Sequence, residues 1–589
     1  MTVTELLTDA GYPGDTLVLD FESYFDKDYT LKDMTIVEYV ADPRFEFTGL
    51  GIKLNNEPSR FTIQIPWMVR RLQHKFGDNL ENITVVAKNT KFDILILAEK
   101  FGIYPPYVID IEDLSRYYDS RMSQKLEDLC KLFKIPDKGN TAQFKGQHWE
   151  GMDQQAMKVY CLNDVDREYD LLEILLPRID NLEFELQLMQ HTLNLYLRPP
   201  FKLDVKLANE ISDGMKKALR DDLLKVRWVL EYADKKKKTI SDILRARTIF
   251  PKILADILPE GEEIPMKPGK NKMIPALAQQ DVDFQLLLVH PDEKVRDLMA
   301  AKAAVTSWPL HKAKVDSIIA QAACSDNMLR VPTRFYGTHT GRWSGTQKIN
   351  LLNLGGKGRG KAIHPLIGKV RHALLAPEGK TLVICDSAQI EARETAWVAG
   401  QDDLLEDFRT GGDPYSKFAT VIFGEEVRKP REGDSPETSA LLDIRRGFGK
   451  DTILGRQYGL GTDTAYLRCR QNPTLRPLFD SGEYDWNFID TLTKTYRTKY
   501  SKIPEFWRQI EKCFRWVTKY HNETSALAIP GKNEPLLIFG RDGKDTVIQL
   551  PSGRCLYYRH AVVTRKKELK YVWGPLWGGT LTENVIQSM

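Results

Sequence analysis

Along the chain, short apolar runs that end on acids alternate with long stretches of helical periodicity. Residues 17–19 are apolar and lead into Asp20-Phe21-Glu22, which reads as a strand; side chains alternate there, so Asp20 and Glu22 point to one face. A second apolar run at 83–87 precedes Asn89 and Asp93. Further on, Tyr160 and Asp164 lie four apart in a helical stretch and share a face. Residues 186–325 are rich in helix formers, broken at Pro199-Pro200, 265–269 and Pro291. The run 382–385 predicts a buried strand that delivers Asp386, and 389–393 predicts the helix after it. Arg446, Lys450, Leu454 and Tyr458 recur every four residues, one slowly rotating stripe on a helix. The segment 582–589 predicts two turns of helix, too short to hold without packing.

At 589 residues the chain has length for about three domains. Its net charge of +3 neither demands nor excludes nucleic acid, so local charge must decide. No apolar run approaches the roughly 20 residues that span a bilayer, and the first residues lack a signal-peptide pattern. The seven cysteines are scattered and never form a C-x-x-C pair, which argues against a disulfide framework and for a reducing compartment. A cytoplasmic protein without membrane contact is expected.

The candidate chemistry is carried by acids. Two same-face carboxylates, followed by a third and a fourth far along the chain, suit a two-metal centre. One cation activates water and the other stabilises the leaving oxygen of a phosphodiester, with Tyr160 orienting the water. The bland alternative is surface acids on an inactive α/β domain. The basic tract Lys235–Lys238 with Arg245 and Arg247 reads as a solvated helix face, or as a phosphate grip if its neighbours bind nucleic acid. His290-Pro-Asp292-Glu293 reads as a helix start. Arg342, Lys348, Lys357, Arg359, Lys361, Lys369 and Arg371 are interleaved with Gly and Asn. That composition suits phosphate contact, unless the segment is simply a loop-rich connection. A stripe of two cations, an aliphatic and a phenol suits an incoming nucleotide better than a core. Within it, Gly447 and Gly449 suggest close approach by a ligand or a neighbouring element.

In this order and spacing, Asp20-x-Glu22, Asp93 and Tyr160-x3-Asp164 resemble the three motifs of the DEDDy 3′–5′ exonucleases over about residues 14–180. Behind them stand Thr340-Gly341-Arg342-x-Ser344, Asn350-x-x-Asn353, Asp386-x-x-Gln389-Ile-Glu391-x-Arg393, and Arg446-x3-Lys450-x7-Tyr458-Gly459. Together these resemble family A DNA polymerases, closest to the phage-type members. The resemblance implies an α/β multidomain fold, an RNase H-like exonuclease followed by a right-hand polymerase with an incomplete palm. The divisions expected are an exonuclease at 1–185, connector and thumb at 186–326, palm at 327–424, fingers at 425–545, and a return to the palm at 546–589.

By resemblance, Asp20, Glu22, Asp93 and Asp164 bind metal beside Tyr160, and Asp386 binds the polymerase metals. Two Mg²⁺ per site are implied, with Mn²⁺ as a substitute. Glu391 becomes the steric gate against a ribose 2′-OH. Gln389, Arg446, Lys450, Leu454, Tyr458 and Tyr415 would line the nucleotide site, while Arg342, Asn350, Asn353 and Gln587 would touch DNA. Primer-template DNA and dNTPs are the implied partners, with a processivity factor.

Three departures stand out. Leu454 occupies a position that is usually aromatic. Tyr415 follows Asp413-Pro where many relatives have His. The second palm acid, expected in an H-D-E hairpin some thirty residues beyond 579–588, has no candidate here. The expectation is therefore the larger part of a split polymerase, completed by a C-terminal polypeptide, with a gene fragment as the alternative. The competing functional readings are a chain active only as an exonuclease and an inert primer-template-binding subunit. A single-subunit RNA polymerase is disfavoured by Glu391 and by the proofreading acids.

Overall fold

A computed structural model describes residues 1–139, 141–233, 239–269, 272–354, 365–472 and 474–589. The basic residues Lys235–Lys238, Lys357, Arg359 and Lys361 lie outside the described residues.

The first sheet grows from β1 (Thr16–Ser23), buried on both faces along its first half. Leu17, Leu19 and Phe21 enter one core with Ile52, Val85 and the helix Thr90–Phe101, whereas Val18 enters a second with Val86, Ile109 and Val165 of the helix Gln154–Leu175. The remaining strands are β2 (Phe47–Leu54), β3 (Arg60–Thr62), β4 (Thr84–Ala87) and β5 (Val108–Asp110), in the order β3-β2-β1-β4-β5. β1 is antiparallel to β2 and parallel to β4, the mixed pairing expected when helices cover both faces.

Asp110, closing β5, fastens this layer. Its carboxylate accepts from Asn89 N (2.9 Å), Thr90 N (2.9 Å), Thr90 Oγ1 (2.8 Å) and Glu112 N (2.8 Å). One buried acid thus caps the start of two helices, including the one that carries Asp93.

Beyond it, the helix Val205–Lys225 packs along the 31-residue helix Glu293–Ala323, around a core of Ile211, Met215, Trp308 and Ile318. Asp292 caps the longer helix and Glu293 sits in its first turn, the helix-start reading of that motif. A third core gathers helices between 390 and 507, among them Ile390–Ala399, Pro414–Phe423 and Pro436–Arg456. A fourth lies under the four-stranded antiparallel sheet built from Ser525–Ala528, Pro535–Asp542, Asp545–Gln549 and Cys555–Tyr558, covered by the helices Lys502–Lys519 and Gly578–Ser588. The division expected at 545–546 cuts a hairpin of this sheet, so the sheet and its two helices form one unit.

Two sequence expectations are corrected. Residues 382–385 form no strand: Leu382, Val383 and Ile384 are 43, 86 and 90% exposed, and no described segment pairs with them. A strand needs a neighbour for its N–H and C=O groups and a surface for its apolar face, and neither is supplied here. The closing helix, by contrast, spans 11 residues rather than two turns, and Leu581, Val585 and Ile586 are buried in the fourth core. Tertiary packing, not propensity, makes it a helix. No described helix is long and apolar enough to cross a membrane.

The layers are joined by part-buried polar contacts. Arg554 reaches Glu185 with two bonds of 2.7 and 2.8 Å, and Trp573 donates to Asp119 at 2.9 Å. Phe335 and Tyr336 complete the second core of the first sheet.

Replacing Asp110 by Ala leaves four donors without their acceptor and is expected to destabilise the first sheet by about 2 kcal/mol. Hydrogen exchange across residues 84–115 should speed up while the fourth core stays protected; uniform exchange behaviour would contradict this role.

Candidate active sites

The pleat of β1 sets the first site. Val18, Asp20 and Glu22 follow one another on the face covered by the helix Gln154–Leu175. Close approach of that helix depends on Gly51, which pairs with Asp20 across β2: a Cβ there would stand 2.8 Å from Cys161 Sγ. Gly49, opposite Glu22, makes the same allowance for the Phe61 ring. The helix then presents Tyr160, Asp164 and Glu168, spaced four apart and all buried. Asp93 arrives from the first turn of the helix Thr90–Phe101, fixed by Phe21 N donating to its Oδ1 at 3.0 Å.

Carboxylate oxygens of Asp20 and Glu22 lie within 4.8 Å of each other and of Cys161 Sγ. Burial, followed by the Asp164 charge, pushes Asp20 up to about 7. Glu22, Asp93 and Glu168 are raised well above the usual carboxylate range, by burial first and neighbouring acids second. Burial raises Asp164 too, against the pull of Lys138. Tyr160 is held protonated by burial and by the Glu22 charge. Lys138 Nζ lies 3.1 Å from the Tyr160 hydroxyl and 3.6 Å from Asp164 Oδ2. Acids crowded this way are relieved by a cation, and Asp164 Oδ1 is buried with no hydrogen-bond partner among the described residues. Hard oxygen donors and an orphaned carboxylate oxygen fit a divalent metal.

Of the five residues expected here, Asp20 and Glu22 lie in one close group with Cys161, and Asp93, Asp164 and Tyr160 are near enough to interact with Glu22 electrostatically. The sequence reading missed Cys161, Lys138 and Glu168. Glu168 was within reach of the same four-residue spacing that found Asp164; Lys138, in a loop, left no periodic signal.

The second site is assembled unevenly. Glu391, in the first turn of Ile390–Ala399, accepts from Arg342 Nη2 at 2.8 Å and from the Tyr458 hydroxyl at 3.2 Å. Three residues predicted from separate motifs therefore meet. Gln389 precedes that helix in a left-handed conformation (φ 60°). On the helix Pro436–Arg456, Arg446 makes bonds of 2.6 and 3.3 Å to Asp413 and lies 5.5 Å over the Tyr415 ring. Gly449 explains the contact: a Cβ there would stand 2.2 Å from Tyr415 O, so the neighbouring element is a helix. Lys450 is exposed, Leu454 is half-buried against the third core, and Tyr458 lies just past the helix end. Gly459 (φ 79°) turns the chain against Trp577, and Gly579 lets the closing helix approach Tyr458 O. On that helix Gln587 donates to Glu583 at 3.1 Å. Asn353 is exposed, whereas Asn350 Oδ1 is buried without a partner.

Asp386 itself is exposed, and among the described residues no hydrogen bond or ion pair joins it to Glu391, Arg446 or Lys450. Among those residues it belongs to no group of three or more metal-ligating side chains. One carboxylate does not make a two-ion centre.

Residues 46–180 match the family model for the 3′–5′ exonuclease of DNA polymerase A. A DNA polymerase of Bacillus phage SP02 is 28% identical over 355 residues, covering 54% of this chain and 50% of the phage protein. The thermostable DNA polymerase I of Thermus aquaticus is 36% identical over 133 residues, 22% of this chain and 14% of that enzyme. The chain thus spans half or less of the length of these relatives. In fold it is similar to the POL domain of Pol1 from M. smegmatis, solved in complex with DNA primer-template and dNTP; the TM-score is 0.58 at 16% identity, covering 100% of this chain and 85% of the other. Residues 46–180 thus match a 3′–5′ exonuclease domain of the DNA polymerase A type, and parts of the chain are similar in sequence to DNA polymerases of phage and bacterial origin.

Proposed function

We propose that this chain extends a primer on a DNA template and proofreads the product by 3′–5′ hydrolysis. The observation that carries the reading is Asp20 and Glu22 gathered on one strand face, with Asp93, Asp164 and Tyr160 near enough to interact with them electrostatically, together with Glu391 held by Arg342 and Tyr458. By this reading residues 1–185 trim, 186–326 form the connector and thumb, and 327–424 the palm. The fingers follow from 425, and the sheet unit after 502 returns to the palm.

Divalent cations, Mg²⁺ or Mn²⁺ and two per complete site, supply a Lewis acid for phosphodiester chemistry when bound. In trimming, the four acids hold them, and the protonated Tyr160 orients the attacking water toward the terminal phosphodiester. In synthesis, the primer 3′-OH attacks the α-phosphate and pyrophosphate leaves. Arg446 and Lys450 neutralise the triphosphate, which requires Arg446 to release Asp413. Glu391, clasped by Arg342 and Tyr458, forms a wall against a 2′-OH. Leu454 offers the sugar an aliphatic surface and cannot stack.

Asp386 needs a second carboxylate beside it. The exposed apolar run 382–384 is a seat for a strand, and a hairpin bearing that acid, continuous with the chain or separate from it, would cover the run and complete the centre. A second reading, trimming alone, is favoured by the contrast between the closed first site and the isolated Asp386.

On labelled primer-template, Asp20→Ala is expected to lower 3′-end shortening by at least about 10²-fold and to leave extension intact. Asp386→Ala should do the reverse. Shortening lost in the first variant, with no extension by the parent even when a fragment carrying the acidic hairpin is added, would establish trimming alone.

The pH dependence has a definite sign. Asp20 titrates near 7 in the fold against 3.8 ordinarily, so the folded chain holds that proton more tightly than the unfolded one. Without divalent ions, stability should fall as pH climbs from about 4 to about 7 and then level off. Added Mg²⁺ should therefore raise the melting temperature more at about pH 7.5 than at about pH 5; equal shifts would argue against these acids as the metal centre.

A further inference from the structure

Lys138 is the cation that the metal chemistry leaves unexplained. It stands in the loop that follows the helix Leu126–Phe133, and its side chain is 22% exposed. Its ammonium lies against both functional ends of the helix face opposite, the Tyr160 hydroxyl at 3.1 Å and Asp164 Oδ2 at 3.6 Å, and 5.4 Å over the Tyr160 ring. Among the described residues no other Lys or Arg is ion-paired with Asp20, Glu22, Asp93, Asp164 or Glu168. Lys88, the next cation to act on these acids, is paired with Glu112 at 3.8 Å.

These contacts place a single positive charge where a divalent ion would share Asp164. An ammonium and a dication repel each other strongly at carboxylate distance, so both cannot occupy the Oδ2 side at once. The lysine stem is long and flexible, anchored in a partly exposed loop, and its removal demands no change in the sheet or in the helix Gln154–Leu175. Asp93, held by Phe21 N, has no such resident partner.

We propose that Lys138 is a built-in competitor for metal at the exonuclease site: its ammonium holds Asp164 and Tyr160 in the metal-free protein, and an arriving divalent ion must displace it. Lys138 is then a positioning residue that sets the ion concentration at which trimming begins. The proposal rests on the four acids being the metal centre.

The test reads metal binding without turnover, by Mn²⁺ electron paramagnetic resonance titration of the full chain free of DNA. Lys138→Gln and Lys138→Met are both expected to bind Mn²⁺ about tenfold more tightly than the parent. Lys138→Arg should bind like the parent, and Lys88→Gln should change affinity far less than Lys138→Gln. Unchanged or weaker binding in both neutral variants, or equal gains on removing Lys88, would overturn the competitor role. Asp20→Ala separates the two levels: if it binds Mn²⁺ as the parent does, the four-acid centre itself fails and the competitor falls with it.

Discussion

The trimming site depends on one geometric constraint, the two-residue repeat of β1 beneath a helix that comes unusually close. The repeat alone puts Asp20 and Glu22 on the face of Val18, where a core would normally continue. Two glycines on β2, directly across from these acids, remove the side chains that would otherwise keep the helix Gln154–Leu175 and Phe61 away. What results is a row of apolar residues that ends in carboxylates facing the carboxylates of the helix. Burial then raises every acid of the group, and for Asp20, Glu22 and Asp93 the charge of neighbouring acids adds to it. Gathering such a group costs stability, which bound cations would restore on the proposed reading.

The second site obeys a different constraint. Its carrier segment needs backbone partners before its carboxylate has a fixed direction. Glu391 has that support because it sits in a helix, whose hydrogen bonds are internal, and because Arg342 and Tyr458 grip it from two other segments. Asp386, five residues earlier, follows an apolar run that belongs in a sheet and has none. Helical parts of this cleft are complete within the described residues. The part that requires a neighbouring strand is not.

The same distinction explains what could be read from the sequence. Same-strand acids, the Tyr160–Asp164 pair and the Arg446–Leu454 part of the stripe are set by local periodicity and lie on the expected strand or helix, whereas Tyr458 falls past the helix end. The helix start at Asp292 was legible because capping is local. Asp93 could be placed only through its resemblance to a known motif, since nothing near it in sequence announces its bond to Phe21 N. The strand at 382–385 failed because apolar content says what a segment can bury, not whether anything is there to bury it. The closing helix erred in the opposite direction: its anchorage comes from the helix Lys502–Lys519, some seventy residues earlier, where Glu511 accepts from Gly578 N at 2.7 Å. Lys138 and Asp413, the partners of the working groups, lie in segments with no pattern.

Those partners share a logic. Lys138 on Asp164, Asp413 on Arg446, and Arg342 with Tyr458 on Glu391 are contacts between groups of opposite charge or matched hydrogen bonding, at places where a ligand of either sign would dock. A charged group withdrawn from water needs a partner whether or not its ligand is present. The contacts differ in what they ask of a ligand. On the proposed reading, metal would have to expel Lys138 and a triphosphate would have to outcompete a bidentate carboxylate for Arg446, each at a cost in affinity. Glu391 need not be released, because a wall works while it is held. Competition at the two charge-handling points and permanence at the steric one is the arrangement expected of a cleft that must stay closed to stray ions and anions yet keep its shape between substrates.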